Sequence, residues 1–478
     1  MQNESSGKKA LRAGLGYTIG NILVKGLTFI SIPIFARLLS VADYGLYNTF
    51  GSYVTIMTFV VGLTLHTSVR NAKLDFPDRI DAFCSSVTII ILLNTALLAV
   101  LSVIFAGPLA RLLGLEQPYL VVLIIAEGFG LAMITFYNCL LSVDYKYKEY
   151  LVLSLLYAVC GLGLSVVLIT TVFREQGYLG RILGTLVPAV LMGIYIIARM
   201  FRRARPRVNR GFWIYGLKIS LPIVPHGLGQ LLLAQFDRIM IKRIIGDTEA
   251  GLYSFAYNVG MIFQVITNSL DTAWTPWFFE KMEAKDYPSI RRVANGYTAF
   301  VSLGAIALML ISPEIVTILG GAKYAPSRYV AIPIVLAMYY SFLYTLPSSI
   351  EYYYKKTVLI AIGTLGAAAV NIALNAYFIP RFGYIAAAYT TVVCYLLYYA
   401  IHVFFAWKVH GGILYDMKNQ LLWLFGVTAA AFIFLAMTEL IWLRMALLAV
   451  GFACAGIWAL RHREQVRGML QTLSLIHI

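Results

Sequence analysis

The chain has 478 residues, of which 60% are hydrophobic and only 13% charged, against about 25% charged in a soluble domain. That balance excludes a soluble globular protein and indicates a membrane protein. The formal net charge of +16 gives no reason to invoke nucleic acid, because the basic residues gather where membrane topology places them.

Apolar runs of about 20 residues, enough to cross about 30 Å of hydrocarbon at about 1.5 Å per residue, recur along the whole length. About fourteen can be distinguished, beginning near residues 15, 44, 82, 118, 151, 178, 213, 250, 291, 328, 357, 384, 419 and 440. They are continuous helix-type runs, unlike the short alternating segments of an outer-membrane barrel. The expected fold is an all-α polytopic membrane protein with about 14 transmembrane helices.

The first run follows a basic flank, MQNESSGKKALRAGLGYTIGN. It continues toward Leu38 without a small-residue cleavage site, so a retained span is expected rather than a signal peptide. With the N-terminus in the cytoplasm and sides alternating, inside segments collect Lys8, Lys9 and Arg12, then Arg70, Lys73 and Arg79, then Lys146 and Lys148. The same side receives the cluster from Arg199 to Lys218, the group Lys281, Lys285, Arg291 and Arg292, and the pairs Lys355/Lys356 and Lys408/Lys418, ending with Arg461, Arg463 and Arg467. This is the positive-inside pattern, which puts both termini in the cytoplasm. Cys84, Cys139, Cys160, Cys394 and Cys454 stand singly in apolar runs, in no metal or disulfide spacing, and are expected to be small core residues.

The most basic linker, RRARPRVNR (202–210), splits the chain between spans six and seven. A repeat crosses the split: ARLLSVADYGLY (36–47) aligns without a gap on KRIIGDTEAGLY (242–253), pairing Arg37/Arg243, Gly45/Gly251, Leu46/Leu252 and Tyr47/Tyr253. Each copy joins the first two spans of a six-span block on the same side of the membrane, so the repeats are parallel, related by an axis along the membrane normal. The reading is a six-helix lobe over 1–201, a cytoplasmic linker over 202–212, a second six-helix lobe over 213–410, and two extra helices with a tail over 411–478. Two such lobes meeting at a midplane cavity imply transport by alternating access. WTPWFFEKMEAKDYPS (274–289) reads as an interfacial helix.

An ionisable side chain at mid-membrane costs about 2.5 to 3.5 kcal/mol and is rarely left facing lipid, so depth sorts the candidates. From an outer end at Gly246, Lys242 and Arg243 lie within about 6 Å and can snorkel, whereas Asp237 and Arg238 lie about 12 to 13 Å deep. Those two form either a structural ion pair between helices or part of a hydrated cavity, the second being favoured. His226, Gln230 and Asp237 fall near one helical stripe with Arg238 beside it, and Pro222 and Pro225 upstream should kink or break the helix. On span one, Tyr17, Asn21, Lys25 and Thr28 form a polar stripe, with Lys25 about 16 Å from Gly14, facing a cavity or buried as a structural cation. Glu127, about nine residues into span four, either carries a proton or sodium ion or makes a packing hydrogen bond in its protonated form. Asn258, Gln264, Asn268 and Asp271 form a weaker stripe, with Asp271 expected to be solvated near Trp274 and Trp277. Asn371 and Asn375 suit a bridge between helices, and His66 an interfacial position. The tyrosine-rich YYSFLYTLPSSIEYYYKK (339–356) fits sugar stacking or, at its end, an aromatic belt. No P-loop, HExxH or GxSxG is present and no large polar loop carries paired carboxylates, so no enzyme activity is expected.

Two stretches, NILVKGLTFISIPIFARLLSVADYGLYNTF and LPIVPHGLGQLLLAQFDRIMIKRIIGDTEAGLYSFAYNVG, resemble the Wzx-type polysaccharide-biosynthesis flippases of the multidrug/oligosaccharidyl-lipid/polysaccharide exporter superfamily. The resemblance extends over nearly the whole chain. It implies movement of undecaprenyl-pyrophosphate-linked oligosaccharide across a bacterial inner membrane for lipopolysaccharide, capsule or exopolysaccharide. Under it, Lys25 and Arg238 would hold the pyrophosphate, and Asn21, His226 and Gln230 would hydrogen-bond sugar or phosphate. Asp237 or Glu127 would couple the cycle to Na+ or H+, with no other cofactor. Membrane lipids, a polysaccharide polymerase and a chain-length protein are the implied partners, around a monomer. A lipid II flippase and a multidrug exporter of the same superfamily remain as alternatives, the second disfavoured by two deep cations.

Overall fold

The computed structural model describes residues 6–461, which are helical with no strand among them. In chain order the helices are α1 (Ser6–Leu38), α2 (Val41–Gly62), α3 (Ser68–Asp75), α4 (Ile80–Ile104), α5 (Ala106–Leu113), α6 (Tyr119–Val143), α7 (Tyr147–Thr171), α8 (Gly177–Arg203) and α9 (Arg210–Ser220). There follow α10 (Val224–Ile244), α11 (Asp247–Glu283), α12 (Tyr287–Gly320), α13 (Arg328–Leu343), α14 (Thr345–Tyr353), α15 (Thr357–Phe382), α16 (Ile385–His410), α17 (Met417–Ala436) and α18 (Ile441–Arg461). Eleven of the fourteen span starts read from the sequence fall on one of these helices, and the other three, at 118, 384 and 440, lie one residue before one. Among the described residues 11 spans are long and apolar enough to cross a membrane, or 12 if Val41–Gly62 and Leu65–Asp75, bent by 56°, are one. Fourteen is therefore more than length and composition support. The two helices not counted are α11 and α18, whose apolar stretch Ile441–Cys454 is short. The tail QTLSLIHI lies outside the described residues.

Two compact units divide the chain at Met1–Gly251 and Leu252–Ile478. In the first, α6, α7 and α8 form the densest packing, α2 lies on α6, α1 on α7, and α10 along α2. Its apolar core gathers Phe83, Phe136, Tyr137 and Phe212 in one cluster and Phe50, Tyr53 and Ile182 in another. The glycines of the repeat have a direct packing role. A Cβ on Gly45 would collide with the carbonyl oxygen of Asp247, and one on Gly251 with that of Val41. Small residues at such crossings let helix backbones touch, which is how helices associate where lipid supplies no hydrophobic drive. Ser40 caps α2 by accepting from the Asp43 amide at 3.0 Å, so the loop before this crossing is itself held.

In the second unit α13 is buried over most of its length. Tyr339 and Tyr340 are core residues, and only the end of the tyrosine-rich run, at Tyr352 and Tyr354, is exposed. No separate interfacial helix forms at 274–289. Instead α11 runs on through Pro276 to Glu283, and Trp274, Phe278 and Met282 pack in a core cluster with Ile290 and Leu346. Aromatic content marked a packed face here, not a membrane rim. Asp271 is accordingly half-buried beside that cluster. Helix α18 is anchored by Arg444, 1% exposed, which donates to Glu314 at 2.5 and 2.6 Å, to Leu310 O at 2.6 Å, and to Met437 O and Thr438 O at 3.0 Å. A guanidinium so fully bonded carries little unsatisfied charge into the bilayer. Cys84 and Cys394 are core residues as expected, Cys139 is half-buried, and Cys160 and Cys454 are exposed on their helices.

The basic end of the first unit is organised around Asp144. Lys73 and Lys146 each donate to it at 3.0 Å, and Arg203 lies between Asp81 at 3.6 Å and Asp144 at 3.9 Å. Burial pushes the Asp144 carboxyl up, but the bonds from Lys73 and Lys146 together outweigh it and hold the group below its ordinary range. A carboxyl lowered on folding contributes stability above its unfolded pKa of about 3.9, and loses it as pH falls through the lowered value. Asp144→Asn is therefore expected to melt below wild type in detergent at neutral pH, with the gap closing as the solution is acidified below about pH 4. At the α2–α11 crossing, Gly45→Ala should force the helices apart at a cost of about 1 to 3 kcal/mol, read as a lower melting temperature, whereas Gly51→Ala on the same helix, with open space at its Cβ, should not.

Candidate functional site

The deep charges of span seven lie on α10. Ahead of it, a 3-10 turn over Leu221–Ile223 contains Pro222, and Pro225 sits in the first turn of α10. Neither proline has an N–H to donate, so the break falls where expected. On α10 itself, Gly229, Leu233, Asp237 and Ile241 are buried, a row at every fourth residue. Asp237, 1% exposed, belongs to this packed face, whereas His226, Gln230 and Arg238 are half-buried. The polar stripe read from the sequence is thus divided: Asp237 stands in the buried row and the other three are half-buried.

Arg238 is held by a residue the sequence reading passed over. Its Nη1 donates to Gln235 Oε1 at 2.6 Å, and the same oxygen accepts from Ser52 Oγ on α2 at 3.0 Å. Gln235 lies one helical turn before Arg238, so its carbonyl both steadies the guanidinium and ties α10 to α2. Lys242, expected to snorkel, is instead buried and ion-paired with Asp247 across the turn into α11. Burying the stem of Lys242 places its ammonium opposite the first acidic residue of the next helix, a pairing that no local pattern signals. Arg243 is exposed, as expected. Beside α10, a cavity of about 120 Å³ is lined by Thr55, Thr58, His66, Thr135 and Leu231 among others. The hydroxyls of Thr55, Thr58 and Thr135 donate to their own helices, leaving acceptor lone pairs toward the cavity.

On α1, Tyr17 donates to Leu141 O at 2.8 Å and Tyr150 donates to Asn21 Oδ1 at 2.6 Å, the two tyrosine rings meeting edge-on at 5.1 Å. Asn21 thus keeps its amide N–H groups unused by α7. Thr28 bonds its own helix at Val24 O. Lys25 is exposed and has no hydrogen bond or ion pair among the described residues. It lies about 13 Å along the helix from Gly16, the start of the span. No side-chain bond joins Asn21 or Lys25 to the α10 residues.

Glu127 belongs to a different group. At 5% exposure in α6 it faces Thr185 and Arg181 of α8, and its Oε2 has no hydrogen-bond partner. Arg181 donates to Ser165 at 2.9 Å and lies over the rings of Phe35 at 3.7 Å and Tyr47 at 4.7 Å. The carboxylate and guanidinium form a polar island inside the helical core, apart from α10. Arg181 lies near the start of α8, among the residues the sequence analysis did not single out. Of the two asparagines, Asn375 bridges helices: it accepts from Thr390 of α16 and donates to Asn371 of its own helix at 3.1 Å. Among the described residues no group of three or more His, Cys, Asp or Glu is placed to hold a metal ion.

The family described as polysaccharide biosynthesis protein matches residues 10–282. A putative protein of the Lsg locus of Haemophilus influenzae is 20% identical over 367 residues, 74% of this chain and 87% of that protein. A probable low-salt glycan biosynthesis flippase, Agl15, of Haloferax volcanii is 20% identical over 396 residues, 82% of each. Among solved structures, the lipid II flippase MurJ in an inward closed conformation aligns with a TM-score of 0.69 at 15% identity, covering 94% of this chain and 99% of that one. An inward-facing multidrug transporter of the MATE family in the MOP superfamily aligns at 0.61 and 16% identity, over 84% and 99%.

Proposed function

This chain belongs to the polysaccharide biosynthesis protein family, and we propose that it is a flippase carrying undecaprenyl-pyrophosphate-linked oligosaccharide from the cytoplasmic to the periplasmic leaflet of a bacterial inner membrane. It is a multi-pass membrane protein with a transporter fold, and not an enzyme. The observation that carries the substrate assignment is Lys25: an exposed, unpaired ammonium about 13 Å into a span. Such a charge is costly against hydrocarbon and too deep to snorkel with ease, so it serves a hydrated space. A pyrophosphate cannot cross hydrocarbon unaided, while a polyprenyl tail can stay in lipid. A deep cation in a lipid-accessible cavity meets both needs.

In this reading residues 1–201 and 213–410 are two six-helix lobes that alternate access, with both termini and the 202–212 linker in the cytoplasm. Lys25 and Arg238 hold the pyrophosphate, Arg238 pre-oriented by Gln235. Asn21, His226 and Gln230 offer hydrogen bonds to sugar, Asn21 through the amide N–H groups that Tyr150 leaves unused. Of the two acids, Glu127 is the better coupling group for H+ or Na+, because its Oε2 is buried without a bond, while Asp237 lies in packing. A polymerase and a chain-length protein are its partners, and it acts as a monomer. Lipid II presents the same pyrophosphate, and the cationic site would serve it equally.

In a bacterium lacking its own repeat-unit flippase, the wild-type protein should restore surface polysaccharide. Lys25→Ala and Arg238→Ala, present at normal levels, should each lower that rescue about tenfold, equivalent to about 1.4 kcal/mol, with Lys25→Arg largely active. Undiminished rescue by both alanine variants would remove these residues from the site. Rescue of a peptidoglycan-flipping defect in place of surface glycan would move the assignment to lipid II.

A further inference from the structure

Two ionisable side chains in the second unit have no role in the reading above. Glu351 lies on the short helix α14 and His402 about two-thirds along α16, both 0% exposed, with His402 Nδ1 2.6 Å from Glu351 Oε1. The outer atom of each, Glu351 Oε2 and His402 Nε2, is buried without a hydrogen-bond partner. The site is closed on every side. Tyr344 and Tyr398 meet the imidazole edge-on, at centroid distances of 4.9 and 4.6 Å, and Phe405 lies at 6.0 Å. On the remaining side α15 brings Gly363 so near that a Cβ there would overlap His402 Nε2.

A pair retained for stability alone would have its outer atoms bonded, because each orphan buried polar atom is a cost that an apolar pair of similar shape would avoid. Ionisable groups kept at such a cost inside a membrane protein mark ion pathways. The titratable neighbours are few. Tyr344 faces the pair from the α13–α14 junction, Tyr352 from α14 and Tyr398 from α16, while α15 contributes Gly363 and Thr364, which do not titrate. Asp271 of α11 acts on Tyr344 and Tyr352 rather than on the pair. Among the described residues no Lys or Arg is ion-paired with Glu351 and no second carboxylate with His402.

Charge balance then sets the number of protons. With neither group protonated beyond the neutral imidazole, the pair is a buried anion, and with both protonated it is a buried cation. Only the state holding a single dissociable proton, as Glu−/His+ or as two neutral groups, is uncharged overall. We propose that Glu351 and His402 form a proton-binding site that must hold one proton whenever it is closed to water. Water reaching Oε2 or Nε2 in a more open state lets that proton leave. Because dry and wet states differ in proton affinity, a proton gradient biases the conformational equilibrium, and the reverse holds by linkage. Its use in driving transport rests on the flippase reading, but its existence does not.

The test is infrared difference spectroscopy of the full-length protein in lipid, titrated from about pH 5 to about pH 9, a range that brackets an ordinary imidazole. Wild type should show a protonated-carboxyl or imidazolium band that is lost as pH rises. Glu351→Gln should abolish a carboxyl band or shift an imidazolium band, and His402→Gln should do the converse, each shift being at least about one pH unit, equivalent to a tenfold change in proton affinity. In proteoliposomes an imposed pH gradient should speed movement of a lipid-linked glycan by wild type and not by Glu351→Gln. A pH-dependent spectrum identical in wild type, Glu351→Gln and His402→Gln would overturn the proposal, since the bands of all other groups are common to the three, and a gradient response intact in Glu351→Gln would overturn the pair's part in driving transport and leave that to Glu127. A titrating pair in a protein that fails to restore surface glycan would leave the proton site standing and sink the flippase assignment instead.

Discussion

Hydrocarbon solvates neither a backbone amide nor a charge, and most of this structure follows from that. It accounts for helices throughout the described residues and for small residues where helices cross. It also explains the contrast between Arg444, whose guanidinium is bonded to a carboxylate and three carbonyls, and Lys25, which has none of these. A paired buried charge holds elements together. An unpaired exposed one inside a span needs water.

The same constraint separates four kinds of intramembrane polar group. Arg444–Glu314 and Lys242–Asp247 are ion pairs that pin helix ends. Asn375 and Thr390 bridge α15 and α16 with a hydrogen bond that lipid cannot compete for. Arg238 is oriented but only half-buried. Glu127 and the Glu351–His402 pair are buried with an atom left unbonded. Stability explains the first two kinds, and the last two are where function is sought.

Much of the site was legible as depth along a helix, since 1.5 Å per residue converts position into distance from an interface. Lys25, Asp237, Arg238 and Glu127 were all located in this way. Depth does not say which way a side chain turns, so Asp237 and Arg238 could not be told apart until Asp237 was found in the buried row with Gly229, Leu233 and Ile241. Gln235 and Arg181 were missed because neither is unusual alone. Their significance lies in Ser52 and Arg238, and in Glu127 and Ser165, which are distant in sequence or come from other helices. His402 was likewise missed, as one histidine in an apolar run carries no sign of Glu351 51 residues away.

The sequence by itself determined the membrane class, the helical backbone, the places where spans begin, the repeat around Gly45 and Gly251, and the family. These follow from hydropathy, periodicity and local residue choice, which act over one helix at a time. Tertiary structure alone decided that the two repeat glycines are a backbone crossing, that Trp274 and the tyrosine-rich run are core, and which charges are paired. Each of those depends on the identity of a neighbour supplied by another helix, because in a low-dielectric interior the partner, not the residue, sets the cost of a charge.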